Sequence, residues 1–165
     1  MKYIIVTGSA GLIGSECVEF FLKKGLKVIG IDNDSRKKFF GDNGSIFKRK
    51  KQLLQNLGYK HYDTDIRNKK KIDEIFARYK SKIKCIIHCA AQPSHDWAIK
   101  DKILDYEINS TSTLTLLNSY KKFSPEAPFI YVSTNKVYGD NPNKLKIEEK
   151  KFRFEVEKKS NFYKN

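Results

Sequence analysis

Five short apolar runs, each followed by a polar or helix-patterned stretch, most constrain what this chain can become. They are "YIIVT" from Tyr3, "KVIGID" from Lys27, "YKHYDTD" from Tyr59, "KCIIHCAA" from Lys84 and "FIYVST" from Phe129. Continuous runs rich in β-branched residues suit strands covered on both faces, which is what a parallel sheet demands. The segments between them supply the crossovers. One carries Leu12, Ile13, Cys17, Phe20 and Phe21 on a helical face and ends in "KKG", with Gly25 expected to cap it. A second runs from Asn68 to about Tyr79, with Ile72, Ile75 and Phe76 at helical spacing. A third, from about Lys100 to Lys122, keeps the period through Ile103, Leu104, Ile108, Leu114, Leu117 and Tyr120 until Pro125 and Pro128 end it. Strands alternating with helices give right-handed crossovers and a doubly wound α/β sheet.

Two stretches fall outside this alternation. Arg36 to Leu57 inserts a glycine-containing loop and a basic, helix-like run between the second and third strands. From Asn141 to Asn165 the chain turns heavily charged without a clear apolar face and reads as extended or disordered. The expected organisation is one domain over residues 1–140 and a charged tail over residues 141–165.

The formal charge of +14 raises the question of a nucleic-acid partner. The excess is mostly lysine and is spread along the chain, the pattern of a solvated surface. Only "KRKK" at Lys48 to Lys51, beside Phe39, Phe40 and Phe47, interleaves basic and aromatic residues. Specific nucleic-acid binding is therefore not the expectation. Cys17, Cys85 and Cys89 form an odd set without CxxC spacing, which argues against a disulfide framework or a zinc site. His88 between the last two reads as a satisfied strand-end residue. No apolar run approaches membrane-spanning length and the N-terminal one is too short for a secretory signal, so a cytoplasmic location without membrane partners is expected.

"VTGSAGLIGSE" lies where the first strand should meet the first helix, with Gly8, Gly11 and Gly14 spaced GxxGxxG around Leu12 and Ile13. Glycine there permits a tight turn, close approach of backbone to a pyrophosphate and tight helix-on-strand packing, while the helix N-terminus offers free N–H groups. The second strand ends in "IDND". Asp32 stands at the distance expected of the acid that accepts from both adenosine ribose hydroxyls, and Asn33 follows where an arginine would be needed to hold a 2′-phosphate. NAD is favoured over NADP.

In "DTDIRN", Asp65 can accept from an adenine amino group and Ile66 can cover the ring, although a plain strand-end turn with a helix cap fits equally. "HCAAQPSHDW" closes the fourth strand, where small Ala90 and Ala91 would let a dinucleotide lie against the backbone. His95, Asp96 and Trp97 then fall at the ligand edge of the sheet. Helix capping by Asp96 with Trp97 as a lid on the core is the plainer alternative.

Together "TGSAGLIG", "IDND", "DIRN", "HCAAQ", Asn109 in "YEINSTSTLTLL" and "STNKVYGD" make the chain resemble the extended short-chain dehydrogenase/reductases, specifically the NAD-dependent epimerase/dehydratase family of nucleotide sugars. "RKKFFGDNGS", "AAQPSHDWA" and "STNKVYGDNPNKL" look like its CDP-paratose 2-epimerase branch. The resemblance implies a Rossmann-type fold, bound NAD and a nucleotide-sugar substrate, most specifically a CDP-sugar. It also implies epimerisation by hydride removal and return through a keto-sugar. It places a catalytic hydroxyl on Thr134, Ser133 beside the nicotinamide, and Gln92 and Asn109 near the cofactor.

The family also uses a tyrosine base with a lysine four residues later, and no tyrosine here has one: Tyr131 is followed at that spacing by Asn135, Tyr138 by Pro142, Tyr120 by Ser124, and Tyr163 by none. The expectation is therefore a sheet incomplete at its C-terminal end, the NAD-binding half of such an enzyme. On its own it would be inactive, with the remaining half in a longer chain or a partner chain, and a homodimer is open. The alternatives are a non-catalytic nucleotide-binding module, or another nucleotide-sugar epimerase or dehydratase.

Overall fold

The computed structural model describes residues 2–158, and within these the expected strands and crossovers form. In chain order they are β1 (Tyr3–Thr7), α1 (Leu12–Lys23), β2 (Lys27–Asp32), α2 (Ser35–Phe40), α3 (Phe47–Leu53), β3 (Tyr59–Asp63), α4 (Lys69–Tyr79), β4 (Ile83–His88), α5 (His95–Lys100), α6 (Lys102–Tyr106), α7 (Ser112–Phe123) and β5 (Phe129–Tyr131). The five strands form one parallel sheet in the order β3-β2-β1-β4-β5. That is a doubly wound Rossmann-type sheet. Its direction of growth reverses between β1 and β4, and a crevice opens there at the carboxyl ends of the strands.

The strands alternate their side chains between two cores. Ile5, Ile29, Ile31 and Ile86 pack with Ile72, Ile75 and Phe76 of α4 and Leu116 of α7. On the other face Ile4, Val6, Val28 and Ile87 pack with Val18 of α1 and Leu53 of α3. Each fully buried aliphatic or aromatic side chain contributes about 1.5–3 kcal/mol, so the continuous apolar runs are what hold the central strands. The edge strand β5 is only half covered, with Ile130 48% and Tyr131 52% exposed.

Three local expectations need correcting. The buried face of α1 is Gly14, Ser15 and Val18, whereas Leu12 is 80% exposed and Ile13 and Phe20 are exposed as well. The first turn borders the crevice, and only glycine and serine are small enough for the helix to lie close to the loop that precedes it. The third expected helix is broken: Asp101 caps α6 by accepting from the Leu104 N–H at 3.0 Å, leaving His95–Lys100 as a separate helix. A π-helical turn over Glu107–Thr111 then joins α6 to α7. Its extra residue keeps Ile108, Ser112 and Leu116 on one buried face and leaves Ile103, Leu114 and Leu117 exposed.

The third correction concerns the charged tail. The chain forms two compact units, Met1–Val132 and Ser133–Asn165. In the second, short 3₁₀ turns at Asn135–Tyr138 and Asn141–Lys144 precede an antiparallel hairpin of β6 (Ile147–Glu149) and β7 (Phe154–Val156). Ile147 pairs with Val156 across it, and ion pairs Lys150–Glu148 and Arg153–Glu155 lie along it. Two strands of three residues carry too little apolar pattern to stand out in a charged sequence. The last seven residues of the expected tail, with Tyr163, lie outside the described residues.

Candidate functional site

The site begins where β1 runs out. Gly8 turns the chain with φ +63°, and a Cβ there would stand 2.8 Å from the Ala90 nitrogen. Its N–H donates to the Ile31 carbonyl at 2.8 Å and its carbonyl accepts from Gly11 at 3.0 Å. Gly14 is the tightest position, since a Cβ would fall 2.1 Å from the Gly8 carbonyl oxygen. These contacts bring the first turn of α1 against the loop, and its N–H groups, which have no intrahelical partner, face the crevice.

The crevice is a cleft of about 250 Å³ built entirely from the first unit. Gly8, Gly11, Leu12, Ile13 and Gly14 form one side, Asp32 and Asn33 the end of β2, Asp65 and Ile66 the end of β3, and Ala90 and Ala91 the segment after β4. Asp32 accepts from the Ala10 N–H at 3.0 Å on one carboxylate oxygen and from the Asp34 N–H at 3.2 Å on the other. Burial pushes its carboxyl up from the ordinary range, against the lowering effect of those two bonds. A partly desolvated carboxylate with lone pairs to spare is a strong acceptor for paired hydroxyls.

Asp65 is more fully engaged. Its carboxylate accepts from Asn33 Nδ2 at 3.0 Å and from the N–H, Nε and a terminal nitrogen of Arg67 at 2.8–3.1 Å. Burial alone would raise its pKa, but the Arg67 bonds and charge, with Asn33, outweigh it and hold the carboxyl below its ordinary range.

A second wall comes from the insertion after β2. Asp34 takes a left-handed conformation, φ 54°, and its carboxylate accepts from the Ser45 hydroxyl at 2.7 Å and the Ile46 N–H at 2.9 Å. That closes residues 34–46 into a loop, which presents Ser35, Arg36, Phe39 and Ile46 to the cleft. Sequence reasoning missed these four, and the aromatic pair in "KKFFG" was the available signal. Two of the four charges in the "KRKK" run are paired, Arg49 to Glu16 and Glu19 and Lys50 to Asp63.

The end of β4 is organised by side chains. Thr7 Oγ1 accepts from the Ala90 N–H at 3.2 Å and lies 2.6 Å from His88 Nδ1. Thr113 donates its one hydroxyl proton to the Asn109 carbonyl at 2.8 Å, so it accepts from His88 Nε2–H at 3.0 Å, and Nδ1 of the neutral ring then accepts from Thr7. Burial lowers the His88 pKa to about 4, so the ring is neutral. Next to it, Asn109 Oδ1 accepts from the Gln92 N–H at 2.9 Å while its Nδ2 donates to the Gln92 carbonyl at 3.2 Å and to Asp105 at 3.0 Å. Gln92 Nε2 donates to Asp105 at 2.8 Å and to the Ser94 carbonyl at 2.9 Å. Gln92 and Asn109 thus bind each other and do not line the cleft.

Of the remaining candidates, Ser133 and Thr134 belong to the second unit and are exposed. His95 and Asp96 open α5, which Ser94 caps by accepting from the Trp97 N–H at 3.4 Å, so the cap is Ser94 and not Asp96. Trp97 packs on Phe39 instead of covering the core.

A model of the NAD dependent epimerase/dehydratase family matches residues 4–164. Among curated proteins the chain is 33% identical to a CDP-paratose 2-epimerase of Salmonella typhi, over 97% of this chain and 44% of that protein. It is 32% identical to a UDP-glucuronate 4-epimerase of Thermodesulfobacterium geofontis, over 86% of this chain and 42% of that protein. The chain thus spans less than half the length of these relatives. Among solved structures, a UDP-glucose 4-epimerase from Bifidobacterium longum in complex with NAD+ and UDP superposes with a TM-score of 0.71 at 29% identity, covering 94% of this chain and 42% of that one.

Proposed function

The chain belongs to the NAD dependent epimerase/dehydratase family, and on that premise we propose that its cleft binds NAD and that it supplies the NAD-binding part of a nucleotide-sugar epimerase. The observation that carries this reading is the convergence, in one cleft, of a glycine-lined helix N-terminus, a partly desolvated carboxylate and a segment after β4 that presents the small Ala90 and Ala91. The group fits the residues present: Gly8 and Gly14, where a Cβ would meet the Ala90 backbone and the Gly8 carbonyl, let the helix N-terminus close onto the loop so that its free N–H groups can meet a pyrophosphate.

When bound, NAD supplies removal and return of hydride at a sugar carbon. The first-turn N–H groups of α1 hold the pyrophosphate, Asp32 accepts from the adenosine ribose hydroxyls, and Asn33, Asp65 and Ile66 bound the adenine. Gln92 and Asn109 act from behind, fixing the segment after β4 against which the dinucleotide lies. The family resemblance assigns Ser133 to the nicotinamide end and Thr134 to the hydroxyl that would orient the reacting sugar oxygen.

The finer reading is a CDP-sugar epimerised at carbon 2, supported by the 33% identity over nearly the whole chain to the Salmonella typhi protein. The 32% identity to a UDP-glucuronate 4-epimerase supports the wider nucleotide-sugar class. Exposed Ile103, Tyr106, Leu114 and Leu117 support association with a second copy or a partner chain.

No tyrosine in the 165 residues has a lysine four positions on, so the base that the family resemblance implies is not among them. Proton transfer by a positioned side chain is worth roughly 10²–10⁴-fold, so this chain alone should bind NAD without turning over substrate. Calorimetry with NAD, followed by an assay with CDP-paratose, tests both halves of the claim. A folded chain that ignores NAD would reject the cofactor reading, and turnover by the pure chain would reject the account of the absent base.

A further inference from the structure

The two stretches "RKKFFGDNGS" and "AAQPSHDWA" sit in different crossovers, yet the fold joins them at one point. Trp97 of α5 donates its indole N–H to the Phe39 carbonyl of α2 at 3.1 Å, across 58 residues of sequence. The two rings meet edge to face with centroids 5.4 Å apart. Lys100 and Lys38 place their ammonium groups 4.6 Å and 5.8 Å from the centre of the indole ring. Trp97 itself is half-buried, and α2 is a helix of six residues with no buried side chain. Phe39, half-buried, packs against the core, and α2 has no other large apolar side chain in that cluster to hold it.

What α2 carries matters for the cleft. Ser35, Arg36 and Phe39 line it from one flank, while Pro93, two residues before the start of α5, lines it from the other. The loop bearing α2 is pinned at its neck by Asp34, through Ser45 and Ile46. At its far end the Trp97 bond ties it to the segment after β4. A loop fixed at both ends stands as a wall, whereas one fixed only at its neck can swing away on the timescale of loop motion.

We propose that Trp97 is a positioning residue: its bond to the Phe39 carbonyl holds α2 against the mouth of the cleft, and the bound dinucleotide leaves only when that tie opens. The consequence for the cofactor rests on the NAD reading given above, but the consequence for α2 does not. Trp97 touches no reacting atom in this account. It acts by setting how often Phe39 and Arg36 are in place.

The experiment uses the full chain with Trp97→Phe, which keeps a ring and removes the donor, and Lys100→Met, which keeps the bond and removes the cation over the indole. Hydrogen exchange across residues 35–46 reads the tie without ligand, and stopped-flow fluorescence with NADH reads its effect on dissociation. Loss of one hydrogen bond of ordinary strength predicts about 3- to 10-fold faster exchange in that segment for Trp97→Phe. NADH dissociation should rise by the same factor while its association rate stays within about twofold, since opening a tie affects mainly escape.

Lys100→Met should change both by no more than about twofold, since it leaves the hydrogen bond in place. Unchanged exchange and dissociation in Trp97→Phe would overturn the proposal, as would equal effects of the two variants, which would assign the wall to the charges around the indole and not to its hydrogen bond. Faster exchange in a chain that binds no NADH would support the tie and overturn the NAD reading.

Discussion

The two sides of the cleft are built by opposite means. After β1, the turn is made of backbone, with Gly8, Gly11 and Gly14 bringing carbonyls and N–H groups together and leaving the first-turn donors of α1 facing open space. After β4, the turn is made of side chains, and its polar atoms are bonded to one another through Thr7, His88, Thr113, Gln92, Asn109 and Asp105. The difference separates two jobs. Groups already bonded within the protein give rigidity, and groups kept without an internal partner give a ligand something to bind.

The comparison breaks first at Gly14. Gly14→Val would place carbon about where the Gly8 carbonyl lies, an overpacking that costs ~1–3 kcal/mol or more. NAD binding should fall below detection in calorimetry, while circular dichroism still reports the sheet. Retained binding would show that the backbone side does not contact the ligand.

The β4 side should fail differently, through pH. Because the His88 pKa in the fold is lowered to about 4 by burial, the unfolded chain takes up its proton first as the solution is acidified. The stability this neutral ring protects is complete above about pH 6.5 and is lost as pH falls toward 4. The span corresponds to roughly 3 kcal/mol at most, taking 1.36 kcal/mol per pKa unit. Denaturant unfolding at several pH values measures it, and a flat profile between pH 7 and 4 would mean that the ring is not held neutral.

Asp32→Asn should have a slightly smaller effect, and on the other observable. Hydrogen bonds to a charged acceptor are worth ~1.5–3 kcal/mol, so NAD affinity should drop roughly 10- to 100-fold, with a smaller loss of stability because the amide keeps only one of the two oxygens that accept from the Ala10 and Asp34 N–H groups. In the native chain that affinity should weaken as acid protonates Asp32, and the raised pKa brings this on at higher pH than for an ordinary aspartate. Asn109→Ala should show the reverse: about 1–2 kcal/mol of stability lost, since it strips partners from Gln92 and Asp105, with NAD affinity changed only a few-fold. If Asn109→Ala abolished binding without destabilising, the division between the two sides would be wrong.

How far the sequence disclosed this arrangement follows from the same contrast. The backbone side was legible because its signal is local: glycines at fixed spacing, a strand before them, and Asp32 at a set distance after them. The sheet was legible because burial on both faces leaves continuous apolar runs. The bonds joining Gln92 to Asn109 connect residues 17 apart, and no period marks such a pair.

The π-helical turn that turned Leu114 and Leu117 outward adds a single residue per turn and leaves no compositional trace. The wall formed by Arg36, Phe39 and Ile46 comes from an insertion whose path depends on the left-handed Asp34 and the distant Trp97. Ser133 and Thr134 remain assigned by family resemblance, and their role in the reaction is part of the proposal.

The measurement that tests the central claim most directly is an isothermal titration of NAD into the folded 165-residue chain, with Asp32→Asn run beside it. Saturable binding at one site per chain, weakened roughly 10- to 100-fold by Asp32→Asn, is the predicted result. A chain that melts cooperatively yet shows no binding, or binds equally well without the Asp32 carboxylate, would contradict it.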